Sequence, residues 1–158
     1  MRILGVDPGS QITGYGLIEG GTPRSRAVAY GTIRPPAKDP LPDRLLFIHR
    51  GLTAVLAEHS PDVVCVETAF YHKNARSMLV LGHVRGVLLI AARESGARVE
   101  EYSPREIKQA VTGTGAAGKE MVQKLVRHSL GLTETPQVDA SDALAAALCA
   151  WQRARVPA

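Results

Sequence analysis

A chain of 158 residues, 45% of them hydrophobic, is long enough for one ordinary domain that buries its own core, and a single domain over residues 1–158 is expected. Its two cysteines, Cys65 and Cys149, lie far apart in apolar surroundings, which excludes a disulfide framework and reads as two buried free thiols. No apolar run reads as a bilayer span and the N-terminus lacks a secretory pattern, so a cytoplasmic location and no membrane partner are expected. The net charge of +4, carried mostly by arginine, suits a polyanionic partner but equally suits solvated basic faces.

Residues Arg2 to Asp7 form a short apolar run ending at Pro8-Gly9, which predicts a buried strand and a turn. Thr13 to Glu19 and Ala27 to Ile33 continue it as an antiparallel meander. The proline-rich stretch from Ile33 to Pro42 is a surface connection. Asp43 to His59 is predicted helical, with Asp43 as its cap and Leu45, Ile48, Leu52, Val55 and Leu56 on one face. Val63 to Glu67 is a continuous apolar strand of the kind covered on both sides, and it is expected to lie parallel to the first.

Ala75 to Ser95 is a long helix whose stripe of Met78, Leu81, Val84, Leu88 and Ala91 is widened by Leu79 and Val87, enough to face both the sheet and a partner subunit. Ala97 to Tyr102 is a strand. Ser103-Pro104-Arg105-Glu106 has the form of a capping box opening a short helix. Lys119 to Leu130 is a helix stopped by Gly131, and Asp139 to about Arg153 is the last. A meander followed by alternating strands and helices gives an α/β fold: a mixed five-stranded sheet with helices on both faces.

Four acids stand out against this frame. Asp7 and Glu67 each end a strand, and in an open α/β sheet ligands gather at such ends. Asp139 and Asp142, three apart on a helix, share a face. Clustered carboxylates raise one another's pKa unless a cation holds them ionised. Hard oxygen donors without histidine or cysteine favour Mg²⁺ or Mn²⁺, and two such ions clamp the attacking and leaving oxygens of a phosphoryl displacement. Singly, each acid has a blander reading: Asp7 suits a turn and Asp139 suits a helix cap.

Cations and an aromatic surround the acids in sequence. Phe70 and Tyr71 share a loop with His72, Lys73 and Arg76, a setting for base stacking, although Phe70 equally suits the core. Lys108 and Lys119 bracket the glycine-rich segment 113–118, as phosphate-contacting residues or as ordinary solvated lysines. Gly113 to Glu120 nearly matches the phosphate loop of nucleotide hydrolases, but Glu120 stands where a hydroxyl must bind the metal and a helix precedes it where a strand should. An actin-like or sugar-kinase ATPase would need a second domain for which the chain has no room.

The segments Ile3 to Ser10 with Thr13-Gly14-Tyr15-Gly16, Cys65-Val66-Glu67 with Phe70 and Lys73-Asn74, Lys108 to Val111 with Gly113, Gly115 and Lys119, and Asp139 to Ala145 together resemble the RuvC Holliday junction resolvases of the ribonuclease H-like superfamily. The resemblance covers nearly the whole chain, and all four family acids have a counterpart. It implies a ribonuclease H-like fold and a homodimer joined through the helix from Ala75 to Ser95. It implies two Mg²⁺ per site, replaceable by Mn²⁺, held by Asp7, Glu67, Asp139 and Asp142. It implies symmetric nicking of four-way junction DNA to leave 5′-phosphates, beside the branch-migration proteins RuvA and RuvB. Phe70 would then contact junction bases, and Lys108 and Lys119 the DNA near the site. Rival readings are a ribonuclease H-like nuclease acting on RNA–DNA hybrids or other branched DNA, and a non-catalytic junction-binding module.

Overall fold

The computed structural model describes residues 1–21, 24–68 and 74–155. Strands β1 (Arg2–Asp7), β2 (Thr13–Glu19) and β3 (Arg26–Ile33) form the expected antiparallel meander. Helix α1 (Leu41–His59) crosses over to β4 (Val63–Glu67), which pairs parallel to β1. Helix α2 (Ala75–Glu94) crosses to β5 (Arg98–Tyr102), parallel to β4, so the sheet order is β3-β2-β1-β4-β5. Helices α3 (Pro104–Thr112), α4 (Lys119–Leu130) and α5 (Val138–Ala154) follow.

The sheet separates two cores because strand residues alternate between its faces. Leu4, Val6, Leu17, Val64 and Val66 pack under α1 and α2 with Ile48, Leu52, Leu56, Val84 and Leu88. Ile3, Ile18, Val63 and Cys65 pack under α3, α4 and α5. Each fully buried side chain of this kind contributes about 2 kcal/mol. Both cysteines are buried free thiols, as expected, and burial pushes the Cys65 thiol up.

Two expectations are corrected. Asp43 does not cap α1: the helix starts two residues earlier, after Pro40, and Asp43 falls in its first turn. Prolines at 40 and 42 set the entry, because a proline near the first helical position forfeits no helical hydrogen bond. The expectation that no apolar run could span a bilayer also fails, since the 20-residue α2 is long and apolar enough by length and composition. The physical reason is that α2 has two apolar sides. Val84, Leu88, Ala91 and Ala92 are buried against the sheet, while Met78, Leu79 and Ile90 are exposed. Arg85, the charged residue near its middle, pairs with Glu101 of β5.

The capping box of α3 is present, with the Ser103 hydroxyl accepting from the Glu106 amide and the Glu106 carboxylate accepting from the Ser103 amide. Gly131 stops α4 in the left-handed conformation at φ 63°. Gly113 does the same for α3, so the segment that imitates a phosphate loop joins two helices and does not follow a strand.

Candidate active site

The site is built by two strand ends and the start of α5. On β1 the residues Ile3, Gly5 and Asp7 share one face, as do Val63, Cys65 and Glu67 on β4, and this is the face that α5 covers. The parallel ladder runs as far as Val6 and Val66, so the next residue on each strand is an acid. Asp7 and Glu67 are thereby neighbours at the carboxyl ends of central strands.

Helix α5 reaches them because the sheet beneath it lacks side chains. A Cβ at Gly5 would collide with the Ala143 carbonyl and the Ala147 amide, and a Cβ at Gly14 with the Asp139 carbonyl. The helix answers with a buried face of small residues, Ala140, Ala143 and Ala147 among them. Asp139 and Asp142 thus arrive over Asp7. The helix-cap reading of Asp139 is excluded: Gln137 is the N-cap, and no side chain makes a capping hydrogen bond.

A cleft of about 300 Å³ is lined by Asp7, Glu67, Asp139 and Asp142 together with Lys108 and Lys119, with Ile107 and Val122 adding apolar wall. All four acids and Lys108 are half-buried, whereas Lys119 is exposed. The Lys119 ammonium lies 3.9 Å from the Asp142 carboxylate, a long pair worth little to stability.

Burial and crowding act together on Asp7, Glu67 and Asp142. The Asp7 carboxyl is pushed up to about 8, first by burial, then by Glu67, Asp142 and Asp139, with Lys119 opposing. Glu67 is pushed up to about 7 by burial and Asp142, against Lys108 and Lys119. Asp142 is raised by burial, with Lys119 pulling the other way. Two lysines therefore undercompensate four acids, and a divalent cation would supply the missing charge.

The donor set fits such a cation: four carboxylates, with no histidine or cysteine among the described residues of the cleft. Among the described residues no three of these types already converge at ligand spacing.

Of the other expected contacts, Lys108 and Lys119 are in the cleft, and Arg76 is not. Arg76 lines an adjoining cleft that shares Asp139. Phe70 and Lys73 lie outside the described residues. Arg44 in the first turn of α1 also lines the adjoining cleft, and nothing in its local sequence singles it out.

A five-stranded mixed sheet in this order, helices on both faces and acids gathered at the ends of its two central strands define the ribonuclease H-like nuclease class. The chain belongs, within that class, to the family described as "Crossover junction endodeoxyribonuclease RuvC", whose sequence model matches residues 3–150. It is 49% identical over 157 residues to the crossover junction endodeoxyribonuclease RuvC of Alkalilimnicola ehrlichii, covering 99% of this chain and 94% of that protein. It is 47% identical over 150 residues to the same enzyme of Syntrophomonas wolfei, covering 94% of this chain and 87% of that protein. Among solved structures, Thermus thermophilus RuvC in complex with a Holliday junction substrate superposes with a TM-score of 0.92 at 34% identity, over 98% of this chain and 95% of that one.

Proposed function

We propose that the chain is a Mg²⁺-dependent endonuclease that resolves four-way DNA junctions as a homodimer, by paired symmetric nicks that leave 5′-phosphates. The observation that carries this reading is the convergence of Asp7, Glu67, Asp139 and Asp142 with Lys108 and Lys119 on one cleft. The junction as substrate is supported by the family and by the junction-bound Thermus relative.

In this reading the four acids hold two Mg²⁺ ions, with Mn²⁺ as a substitute. Held there, such ions would supply the positive charge that favours a deprotonated water and offsets charge on the leaving oxygen. Lys108 and Lys119 draw the phosphodiester against an acidic site that would otherwise repel it. The apolar wall of Ile107 and Val122 limits water around the acids and strengthens their interactions. The exposed face of α2 seats the partner protomer, and its apolar groove of about 850 Å³, lined by Leu45, Met78, Leu79, His83, Val87 and Ile90, supports that role. We assign Phe70, Lys73 and Arg76 to the DNA around the exchange point, and a cytoplasmic setting beside RuvA and RuvB.

The test is a mobile four-way junction, a linear duplex and an RNA–DNA hybrid, each incubated with Mg²⁺ and with Ca²⁺. Paired symmetric nicks in the junction alone, with Mg²⁺ alone, are expected. Cutting of the hybrid would overturn the assignment.

A further inference from the structure

We propose that the polar cleft adjoining the four acids seats a second backbone phosphate of the DNA strand being cut, and that Arg44 is its anchor. The cleft, about 530 Å³, is lined by Ser10, Arg44, Arg76, Ser77 and Asp139 among others. Asp139 borders both clefts, so a strand lying across the acids continues into this one. The inference rests on the reading of the acid cleft as the cutting site.

Charge is the first argument. Two guanidinium groups face one carboxylate here, and neither arginine makes an ion pair among the described residues. Guanidinium forks match phosphate oxygens in pairs. The neighbouring start of α2 is not the binding element, because the Asn74 side chain already accepts from the Arg76 and Ser77 amides.

Arg44 supplies the second argument. Its side chain is half-buried and its Nε is sealed from solvent with no acceptor among the described residues. Its one side-chain bond among the described residues, from Nη1 to the Ser10 carbonyl, is long at 3.4 Å. The chain thus makes little use of this guanidinium, although buried polar groups are usually satisfied, and its Nη end is left for the oxygens of an incoming phosphate. Holding a phosphate beside the scissile one fixes the register of the strand over the acids, which is how a residue remote from the chemistry controls its rate.

The experiment pairs protein and phosphate. Synthetic four-way junctions carry one neutral methylphosphonate at each position around the cleavage point in turn. Single-turnover cleavage is measured with wild type, Arg44→Ala and Arg44→Lys, and binding is measured against salt in Ca²⁺. With wild type, one substitution near but not at the scissile position is expected to slow cutting about tenfold. Arg44→Ala should slow cutting of the unmodified junction by a similar factor and be indifferent to that same methylphosphonate. Its binding should lose about 0.9 from the slope of log affinity against log salt, the share of one phosphate.

Arg44→Lys keeps the charge and the alkyl stem, so it should be sensitive to the same position and retain most of the salt slope. It serves as the test if Arg44→Ala does not fold. Multiplying effects of Arg44→Ala and every methylphosphonate would overturn the proposal, as would full activity of Arg44→Ala. A wild type that does not cut the unmodified junction would instead sink the reading of the acid cleft and leave the salt slope to judge Arg44.

Discussion

Gly14 lies directly beneath the backbone of Asp139, with no room for a side chain between them. Gly14 is also the residue opposite Asp7 in the β1–β2 ladder, so one glycine sets the height of α5 over the strand that carries the first acid. Gly14→Ala is expected to cost about 1–3 kcal/mol by overpacking, which lowers the melting temperature by several degrees. Cleavage should fall further than the folded fraction does, because lifting the start of α5 displaces Asp139 and Asp142 together. Thermal melting combined with single-turnover cutting checks this, and undiminished cutting by the folded variant would contradict it.

The raised Asp7 and Glu67 carboxyls make the metal-free protein sensitive to pH. Their values of about 8 and about 7 lie above the ordinary 3.8 and 4.5, so the folded chain retains protons that the unfolded chain releases. The associated stability is full below about pH 4 and is lost as pH rises through 7 and 8, a change on the order of a few kcal/mol. In EDTA the melting temperature should fall between pH 5 and pH 8.5. Mg²⁺ should reverse the fall at the alkaline end, where the acids are free of protons. Asp7→Asn, which removes the most perturbed acid, should flatten the EDTA profile; a variant profile identical to wild type would rule out this source.

Much of the site was legible in the sequence because it depends on short-range periodicity. Strand alternation puts Asp7 and Glu67 on one face, and helical spacing puts Asp139 beside Asp142. Local pattern failed where one residue type serves two purposes. Aspartate at a helix start suits a cap as well as a binding cleft, and only the position of Gln137 rules out the cap for Asp139. Asp43 failed in the opposite direction, displaced from the cap by two prolines. Arg44 was invisible because its setting is made by tertiary approach, from a turn 34 residues earlier in the chain. Phe70 and Lys73 keep only their sequence argument.

Asp7→Asn should separate cutting from binding. The side chain is one of four acids around the proposed metals, so cleavage should fall at least about a hundredfold, more than for a residue that only orients a ligand. In the proposed reading basic residues supply the affinity for the junction, so binding should stay within a few-fold of wild type. Binding assays in Ca²⁺ alongside cutting in Mg²⁺ make the comparison. Equal losses in both would remove Asp7 from the ligand set.

Lys119→Ala should show the converse pattern. The ammonium is exposed and only loosely paired to Asp142, so its removal leaves the fold almost unchanged. If Lys119 holds a phosphate as proposed, the junction should bind more weakly and the salt dependence should become shallower by about 0.9 in the logarithmic slope. A melting temperature equal to wild type with an unaltered slope would place Lys119 outside the DNA interface.

The α2 surface predicts the assembly. Leu79 is 66% exposed and Ile90 56%, an arrangement that wastes apolar area in an isolated chain. Gly82 and Gly86 line the same groove with open space over each, so a second helix can approach closely there. Leu79→Glu would place a charge in the proposed contact, where desolvation without a partner is costly. The variant should sediment as a monomer while its melting temperature at low concentration changes little, since residue 79 packs against nothing in its own core. Paired nicking needs two sites held on one junction, so the same variant should lose bilateral cleavage in proportion to its loss of dimer. A variant that sediments like wild type would show that the face serves some other contact.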